Sequence, residues 1–520
     1  MTGPTRAPET RAPEIRTTSG TVRGRMADGM AVFRGIPFAQ PPVGPLHLAP
    51  PVPALPWDGV REAVSFGPTP PQSLALGFGA GPENTSGSNE WLTVNVWSPD
   101  PGPTARLPVL VWIYGGAYLV GTAEGPTYEG TALARRGTVV VTFNHRVGAE
   151  GYGHFEGAVP NRALLDQMAA LEWVRDNIAA FGGDPDRVTV FGESAGAGAI
   201  AALLAMPRAA GLFRRAVAQS VPGSVFSPAL ASDVGASVAA ELGLPATLEA
   251  LAPVAPGALR DAADAVLGKI TQYGERWGRI AHAHLPFAPV VDGEVLPRSP
   301  WEALRAGHGR EVDLVVGYNR DEARVFTVMS GRHGRITQDE ADTVLSRFAP
   351  GSEGAAAYRA AWPGADPTTM QDLVMSDWLF RMPSLGLAEA HAAGGGTAYA
   401  YELAWPAPGL GGALGACHGL DVPLVFGTLR GGIATMLLGE EPSAEAEAVS
   451  EAMGGAWTAF AAHGDPGWAA YRTGERLTRV FAAEPYTQPC PQEASRRIWT
   501  QHDFAPMELV SQREGSASPA

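Results

Sequence analysis

Residues 187–204 read RVTVFGESAGAGAIAALL. The apolar residues before Gly192 predict a short buried strand, and the alanine-rich run after Ser194 predicts a helix. Gly192 and Gly196 allow the backbone to turn tightly between the two, so Ser194 stands at a strand-to-helix elbow with its hydroxyl exposed. A serine at such an elbow is a candidate nucleophile, although the five-residue pattern alone is equally compatible with a structural turn in a glycine-rich chain.

The chain around this elbow alternates strand-like and helix-like patterns. Continuous apolar runs predict buried strands, and apolar residues three and four apart predict an amphipathic helix from Leu164 to Ile178. The predicted strands cover residues 107–114, 138–143, 188–191, 216–220 and 312–317. The alternation predicts an α/β fold with a mostly parallel sheet, which carries its chemistry at the carboxyl ends of its strands. Residues 225–310 predict a helical, loop-rich insertion over this sheet.

The composition is that of a soluble globular protein. Of 520 residues, 45% are hydrophobic and 18% are charged, and the formal net charge is -15. Such a charge argues against nucleic acid or an anionic membrane as a partner. Arginine supplies nearly all of the positive charge, with Lys269 as the only lysine, which is typical of a high-GC bacterial genome.

The chain start and the cysteines predict a cytoplasmic protein. Residues 1–13 are polar and proline-rich and lack the apolar core of a signal peptide, and no later run approaches the about 20 apolar residues of a membrane-spanning helix. Cys417 and Cys490 are the only cysteines, so the chain has no disulfide framework and no cysteine cluster for a metal. The sequence leaves open whether these two cysteines form one disulfide. No pattern specifies an oligomeric state.

Further motifs accompany the elbow. In chain order they are FRGIPFAQPPVGPL at 33–46, SFGPTPPQ at 65–72, EWLTVNVW at 90–97 and GGAY at 115–118. Together with the elbow they resemble the type-B carboxylesterases, the family that includes bacterial para-nitrobenzyl esterases and the cholinesterases, from about Ile15 to Asp503. The resemblance implies an α/β-hydrolase fold with large helical and loop insertions over the active site. It also implies that the substrate is a small-molecule carboxylic ester and that no cofactor is needed.

The resemblance implies one domain. We predict a single carboxylesterase domain at residues 15–505, a disordered N-terminal tail at residues 1–14 and a flexible C-terminal tail at residues 506–520. The family often has cysteines joined by a disulfide at the positions of Pro70 and Trp91. Both cysteines are absent here, which agrees with a reducing compartment.

A serine nucleophile needs a base, and the base needs an acid, in the chain order serine, acid, histidine. Residues 317–323 read GYNRDEA, and their similarity to the family pattern Gly-x-Asn-x-Asp-Glu-Gly makes Glu322 the acid. We expect its neighbour Asp321 to cap the following helix instead. Residues 418–427 read HGLDVPLVFG, which resembles the family's segment around the base, so His418 is preferred over the other histidines that follow Glu322.

The remaining site residues are also implied by the resemblance. Two glycines after a strand allow backbone N–H groups to converge on one point, and the family equivalents make Gly116, Ala117 and Ala195 the oxyanion donors. A family serine at the position of Ser220 supports the acid by hydrogen bonding, while a purely structural role is equally compatible. His418 must be neutral to act as base, so we expect activity to fall as the pH drops through roughly 6 to 7. No His and Cys cluster offers a metal site.

The resemblance implies a serine carboxylesterase that works through an acyl-enzyme. A carbamate or amide hydrolase with the same triad is the first alternative, and a non-catalytic cholinesterase-like binding protein is the second. Between Pro70 and Trp91 the chain has no Trp or Tyr, and Phe78 is its only aromatic residue. An aromatic site for a quaternary ammonium is therefore not expected there, which favours neutral short-to-medium-chain or aryl esters.

Overall fold

The computed structural model describes residues 12–74 and 87–510, whose strands form two sheets. In chain order these strands are β1 (Glu14–Arg16), β2 (Thr21–Arg23), β3 (Arg25–Ala27), β4 (Met30–Pro37), β5 (Val60–Glu62), β6 (Thr93–Ser98), β7 (Leu107–Ile113), β8 (Val139–Phe143), β9 (Gly183–Glu193), β10 (Arg215–Gln219), β11 (Asp313–Asn319), β12 (Ala398–Leu403), β13 (Leu477–Phe481) and β14 (Tyr486–Pro489). Each strand predicted from the apolar runs is present, with ends shifted by only a few residues.

The larger sheet is parallel in its centre and antiparallel at both edges. Its strand order is β14-β13-β12-β11-β10-β9-β7-β8-β6-β4-β3, and β1, β2 and β5 form the smaller sheet. All neighbours from β13 to β8 run parallel, while the pairs beyond them at each edge run antiparallel. This agrees with the mostly parallel sheet predicted from the alternation of strands and helices.

Helices cover the sheet and fill the long connections. They are α1 (Thr131–Ala134), α2 (Gly148–Tyr152), α3 (Arg162–Asn177), α4 (Ala195–Ala205), α5 (Pro228–Glu241), α6 (Leu248–Leu251), α7 (Pro256–Gly268), α8 (Gly274–Trp277), α9 (Arg279–His282), α10 (Pro300–Arg305), α11 (Arg324–Met329), α12 (Gln338–Phe348), α13 (Gly354–Ala361), α14 (Pro367–Ser376), α15 (Met382–Ala393), α16 (Asp421–Phe426), α17 (Ile433–Leu438), α18 (Ala444–His463) and α19 (Glu493–Trp499). A turn of π-helix, Asp377–Arg381, joins α14 to α15. Helices α5 to α10 form the predicted insertion between β10 and β11.

The apolar core lies on both faces of the larger sheet. Successive side chains of a buried strand point to opposite faces, so a strand covered on both sides is apolar throughout. In β7, Val109 and Val111 belong to one core cluster, together with side chains of α3 and α4. Leu110 and Trp112 belong to the other cluster, together with side chains of α16 and α18.

The domain extends further in both directions than the sequence predicted. Strand β1 begins at Glu14, inside the predicted tail of residues 1–14. The backbone N–H of Met507 donates to the carbonyl of Val225 at 2.7 Å, inside the predicted tail of residues 506–520. Main-chain hydrogen bonds therefore connect Glu14 and Met507 to the domain.

A buried ion pair anchors the loop that follows β8. Arg146 donates to the carboxylate of Asp166 in α3 from its backbone N at 3.0 Å, from Nε at 2.8 Å and from Nη2 at 2.7 Å. Both side chains are almost fully buried. Arg146 Nη1 also donates to the carbonyl of Ala49 at 2.7 Å, so one side chain connects three distant segments.

Replacing Asp166 with Asn should destabilise the domain by about 3–5 kcal/mol, because Arg146 would remain as a buried cation without its carboxylate. Urea unfolding measures this change as a lower midpoint. Asp176 lies on the same helix and pairs with Arg175 at the surface, so Asp176→Asn is the matched control and should cost at most about 1 kcal/mol. Equal losses in the two variants would contradict an anchoring role.

Candidate active site

The parallel centre of the sheet brings the predicted site residues to one edge. Strands β7, β9, β10 and β11 are consecutive neighbours, so the segments after their carboxyl ends lie side by side. These segments begin at Tyr114, Ser194, Ser220 and Arg320. The segment that carries His418 follows β12, which is the next strand along.

Ser194 has a strained backbone at the elbow between β9 and α4. Its φ is 55° and its ψ is -124°, a conformation that non-glycine residues rarely adopt. A Cβ atom at Gly192 would lie 2.6 Å from the carbonyl oxygen of Ile113, and one at Gly196 would lie 2.0 Å from it. Both glycines are therefore needed for close approach to β7. The elbow predicted from the sequence is present, and the reason for its glycines is lack of space.

The loop after β7 carries the predicted oxyanion donors. Gly116, Ala117 and Tyr118 have φ values of 121°, 55° and 61°, so two non-glycine residues in succession are left-handed. A Cβ at Gly115 would lie 3.0 Å from Ser194 Cβ, which shows that this loop rests against the candidate nucleophile. Within the described residues, the N–H groups of Gly116, Ala117 and Ala195 donate to no acceptor. They are free to bind an oxygen that becomes negatively charged next to Ser194.

Glu322 is fully buried and receives hydrogen bonds from three segments. Its Oε2 accepts from His418 Nδ1 at 2.6 Å. Its Oε1 accepts from Ser220 Oγ at 2.5 Å and from the backbone N–H of Asn319 at 2.8 Å. Because His418 donates through Nδ1, Nε2 of a neutral ring carries a lone pair and can accept a proton.

Asp321 does not cap the helix after the acid, so this expectation was wrong. Helix α11 begins at Arg324, and no side chain caps its first turn. The backbone N–H of Asp321 donates to the carbonyl of Ala416 at 2.9 Å, and its Oδ2 accepts from the N–H of Ala416 at 2.9 Å. The carboxylate is used in this way because the turn after β11 lies against the segment that leads to His418.

Among the histidines that follow Glu322 in the chain, only His418 is placed to act with it. His391 hydrogen-bonds a main-chain carbonyl just before β11, and His463 is the last residue of α18. His418 alone among them contacts Glu322. Cys417, which precedes it, is buried and free, as is Cys490, so the disulfide left open by the sequence does not form.

A second carboxylate, which the sequence analysis missed, faces His418. Nε2 of His418 lies 3.1 Å from Oε1 of Glu193, the residue before the candidate nucleophile. The two atoms are at ion-pair distance, but their angles do not make a hydrogen bond, and Oε1 has no other partner. Ser194 Oγ forms no hydrogen bond with His418 in this arrangement. The glutamate was visible in the elbow motif, but only the fold shows that it reaches the imidazole.

These surroundings shift the pKa values of both groups. Burial lowers the pKa of His418, but the carboxylates of Glu193 and Glu322 outweigh burial and raise it above its ordinary value of 6.5. Burial raises the pKa of Glu193, and the nearby Asp421 adds to that effect. The neutral imidazole that a base requires therefore forms at higher pH than the roughly 6 to 7 expected from an ordinary histidine.

Asp421 forms a buried network beneath the histidine. Its carboxylate accepts from Gln219 Nε2 at 2.8 Å, from Tyr401 Oη at 3.1 Å and from Asn319 Nδ2 at 3.3 Å. Asn319 Nδ2 also donates to the carbonyl of Cys417 at 2.8 Å. Asp421 belongs to the family motif that begins at His418. Its partners lie on three different strands, so the motif alone could not predict them.

Residues 12–74 and 87–510 contain no group of three or more His, Cys, Asp and Glu side chains placed to hold a metal ion. Of the helices within these ranges, none is both long and apolar enough to cross a membrane.

The fold, the elbow and the chain order of the segments beside it, serine, acid and histidine, define an α/β-hydrolase. Known proteins agree, since residues 11–478 match the model of the carboxylesterase family. The chain is 35% identical to the para-nitrobenzyl esterase of Bacillus subtilis (strain 168), over 93% of this chain and 97% of that protein. It is also 35% identical to the phenmedipham hydrolase of Pseudarthrobacter oxydans, over 87% of this chain and 90% of that protein. A crystal structure of a Geobacillus stearothermophilus carboxylesterase superposes with a TM-score of 0.81 at 36% identity, covering 94% of this chain and 99% of that one.

The chain therefore belongs to the carboxylesterase family and is a carboxylic ester hydrolase. The family resemblance and the α/β-hydrolase fold drawn from the sequence are confirmed. The alternative of a non-catalytic binding protein is set aside, because the relatives named above are hydrolases.

Removing the Glu193 carboxylate should move the pH dependence of activity to lower pH. In the unmodified protein, kcat/KM is expected to rise with pH along a limb above pH 7, because the raised pKa of His418 keeps the ring protonated below it. Glu193→Gln removes one of the groups that favour the charged ring, so the limb should shift down by about one pH unit. The profile of kcat/KM for an uncharged ester measures this. Glu62→Gln, in the smaller sheet, is the control, and a limb that stays in place in Glu193→Gln would contradict the coupling.

Proposed function

We propose that this esterase hydrolyses neutral carboxylic esters with short-to-medium acyl chains or aryl groups through an acyl-enzyme at Ser194. The observation that carries the serine mechanism is the 2.6 Å hydrogen bond from His418 Nδ1 to Glu322, at the strand edge where the strained elbow ends. That bond orients the imidazole and leaves Nε2 for the proton of a nucleophile.

The chemistry follows from the position of each group. Ser194 Oγ attacks the ester carbonyl and passes its proton to Nε2 of His418, which then protonates the leaving alcohol. The N–H groups of Gly116, Ala117 and Ala195 stabilise the tetrahedral oxyanion. A water molecule then attacks the acyl-enzyme in the same way, with His418 again as the base. The Ser194–His418 hydrogen bond is absent at rest, and such contacts commonly form only in the substrate complex.

Ser220 supports the acid in this proposal. Its hydroxyl donates to Glu322 Oε1, on the side of the carboxylate opposite to the histidine contact. Its backbone is left-handed, with a φ of 58°, and its N–H donates to the carbonyl of Gly317. The contact fixes the carboxylate in one orientation, so Ser220 acts on the base only through Glu322.

The preference for neutral esters is supported by the residues between Pro70 and Trp91. This stretch lacks Trp and Tyr, and its one aromatic residue, Phe78, lies outside the described residues. A desolvated cation over an aromatic face gains about 2 kcal/mol or more. With a single aromatic residue, the stretch offers a choline ester little cation–π attraction. A carbamate or amide would use the same catalytic groups, so matched esters, carbamates and amides separate these substrate classes.

A cytoplasmic location is part of the same proposal. Cys417 and Cys490 are both buried free thiols, which fits a compartment that keeps thiols reduced. The net charge of -15 also gives no reason to expect nucleic acid as a partner.

A fluorophosphonate probe should label Ser194, and Ser194→Ala should lose both labelling and ester hydrolysis, because no other hydroxyl stands at the elbow. Peptide mapping of the labelled protein identifies the modified residue. Ser227→Ala is a matched control, since Ser227 is a buried serine that caps α5 and should affect only stability. Undiminished turnover in Ser194→Ala would refute the acyl-enzyme mechanism.

An uncharged butyrate ester should be preferred to butyrylcholine by at least about tenfold in kcat/KM, which corresponds to about 1.4 kcal/mol. The measurement compares both esters at equal ionic strength, so that the negative net charge does not bias the encounter with the cation. A clear advantage for the choline ester would show that another part of the pocket binds the cation.

A further inference from the structure

One face of the catalytic imidazole is covered by a buried phenyl ring. The ring centroids of Phe380 and His418 are 4.0 Å apart, and the planes are inclined by only 22°. Phe380 is 3% exposed, so the surrounding chain fixes this ring. Phe326 lies further away, with its ring centroid 5.9 Å from that of His418 and the planes inclined by 41°, and it is exposed. The stacked contact on His418 is therefore made by Phe380.

Phe380 occupies the π-helical turn, and Pro383 accounts for that turn. The N–H of Met382 donates to the carbonyl of Asp377, five residues earlier, instead of following the α-helical spacing of four. Pro383 has no N–H to offer to the carbonyl of Leu379, four residues before it. That carbonyl accepts from the N–H of Gly223 at 3.0 Å instead. An extra residue in one turn rotates the preceding side chains by about 100°, which changes the direction in which Phe380 points.

The same turn is attached to the acid on both sides. Ser376 Oγ accepts from the backbone N–H of Ala323 at 2.9 Å, immediately after Glu322. Arg381 Nη1 donates to the carbonyl of Arg320 at 2.9 Å, two residues before Glu322. The segment that covers the base therefore also contacts the backbone that carries the acid.

Buried polar contacts hold the turn in place. Arg381 Nε donates to Asp377 Oδ1 at 2.8 Å, and both side chains are buried. Tyr358 Oη donates to Asp377 Oδ2 at 2.6 Å and accepts from Trp499 Nε1 at 2.7 Å. Helices α13 and α19 thus tie the turn to the body of the domain. Such a turn can serve as a rigid support rather than as a hinge.

We propose that Phe380 is a positioning residue that fixes the plane of the His418 imidazole, and that the π-helical turn holds the base and the acid as one unit. A single hydrogen bond at Nδ1 leaves the ring free to tilt about that bond, and contact with a flat phenyl face opposes this tilt. The proposal rests on the proposed serine mechanism, in which Nε2 must point at Ser194 Oγ. A small misorientation of a reacting group lowers the rate without weakening substrate binding.

The test compares two buried phenylalanines that pack against the same turn. Phe348 is also 3% exposed, and its ring lies 4.6 Å from Trp378, next to the residues that support the acid. Phe380→Leu and Phe348→Leu remove the same atoms and should lower the unfolding temperature by similar amounts. Only Phe380→Leu should reduce kcat, by about 10- to 100-fold with KM within about twofold. Phe380→Tyr keeps the aromatic face and should restore kcat to within about threefold of the unmodified protein.

Steady-state kinetics on an uncharged aryl ester and thermal unfolding supply both readouts. Equal kcat in Phe380→Leu and Phe348→Leu would overturn the proposal, as would a loss in Phe380→Leu that appears only in KM. If Phe380→Leu does not fold, Phe380→Met takes its place in the same comparison. A failure of the serine mechanism is distinguishable, because Ser194→Ala would then keep its turnover whatever the Phe380 variants do.

Discussion

The buried carboxylate of Glu322 is the constraint on which the arrangement of this site depends. A carboxylate without water is costly unless hydrogen bonds replace its hydration, and Glu322 is fully buried. Its donors are Ser220 directly after β10, Asn319 at the end of β11 and His418 in the segment after β12. Three segments that are distant in the chain must therefore meet at one side chain, and this requirement fixes their relative positions.

Several residues near Glu322 and the elbow have strained backbone conformations. Ala117, Ser194 and Ser220 have left-handed φ values although none of them is glycine. Such conformations cost of order 1–3 kcal/mol each and persist only where the surroundings determine them. Here the paired parallel strands hold the strained conformations in place, because each strained residue directly follows such a strand or lies within a few residues of one.

The parts of the site that the sequence predicted are those whose signal is local. The elbow around Ser194 is a short pattern in which spacing limits the geometry, and the strands beside it are apolar runs. Glu322 was found through the resemblance of its short segment to the family pattern. The role of Asp321 was misjudged, because its partner Ala416 lies 95 residues away and no local rule connects them. Phe380 was missed for a similar reason. A proline at 383 predicts a helix end, whereas the carbonyl that it leaves free is satisfied by Gly223 from another loop.

Glu193 and Glu322 place negative groups at both nitrogens of one imidazole, and this arrangement acts differently on the resting state and on the transition state. The attraction is strong only when the ring is charged, and in the proposed mechanism the ring becomes charged when it takes the proton of Ser194. A contact that strengthens as the imidazolium forms lowers the barrier more than it stabilises the resting enzyme. The cost is a base that is neutral only at higher pH, since the same carboxylates stabilise the charged ring in the free enzyme.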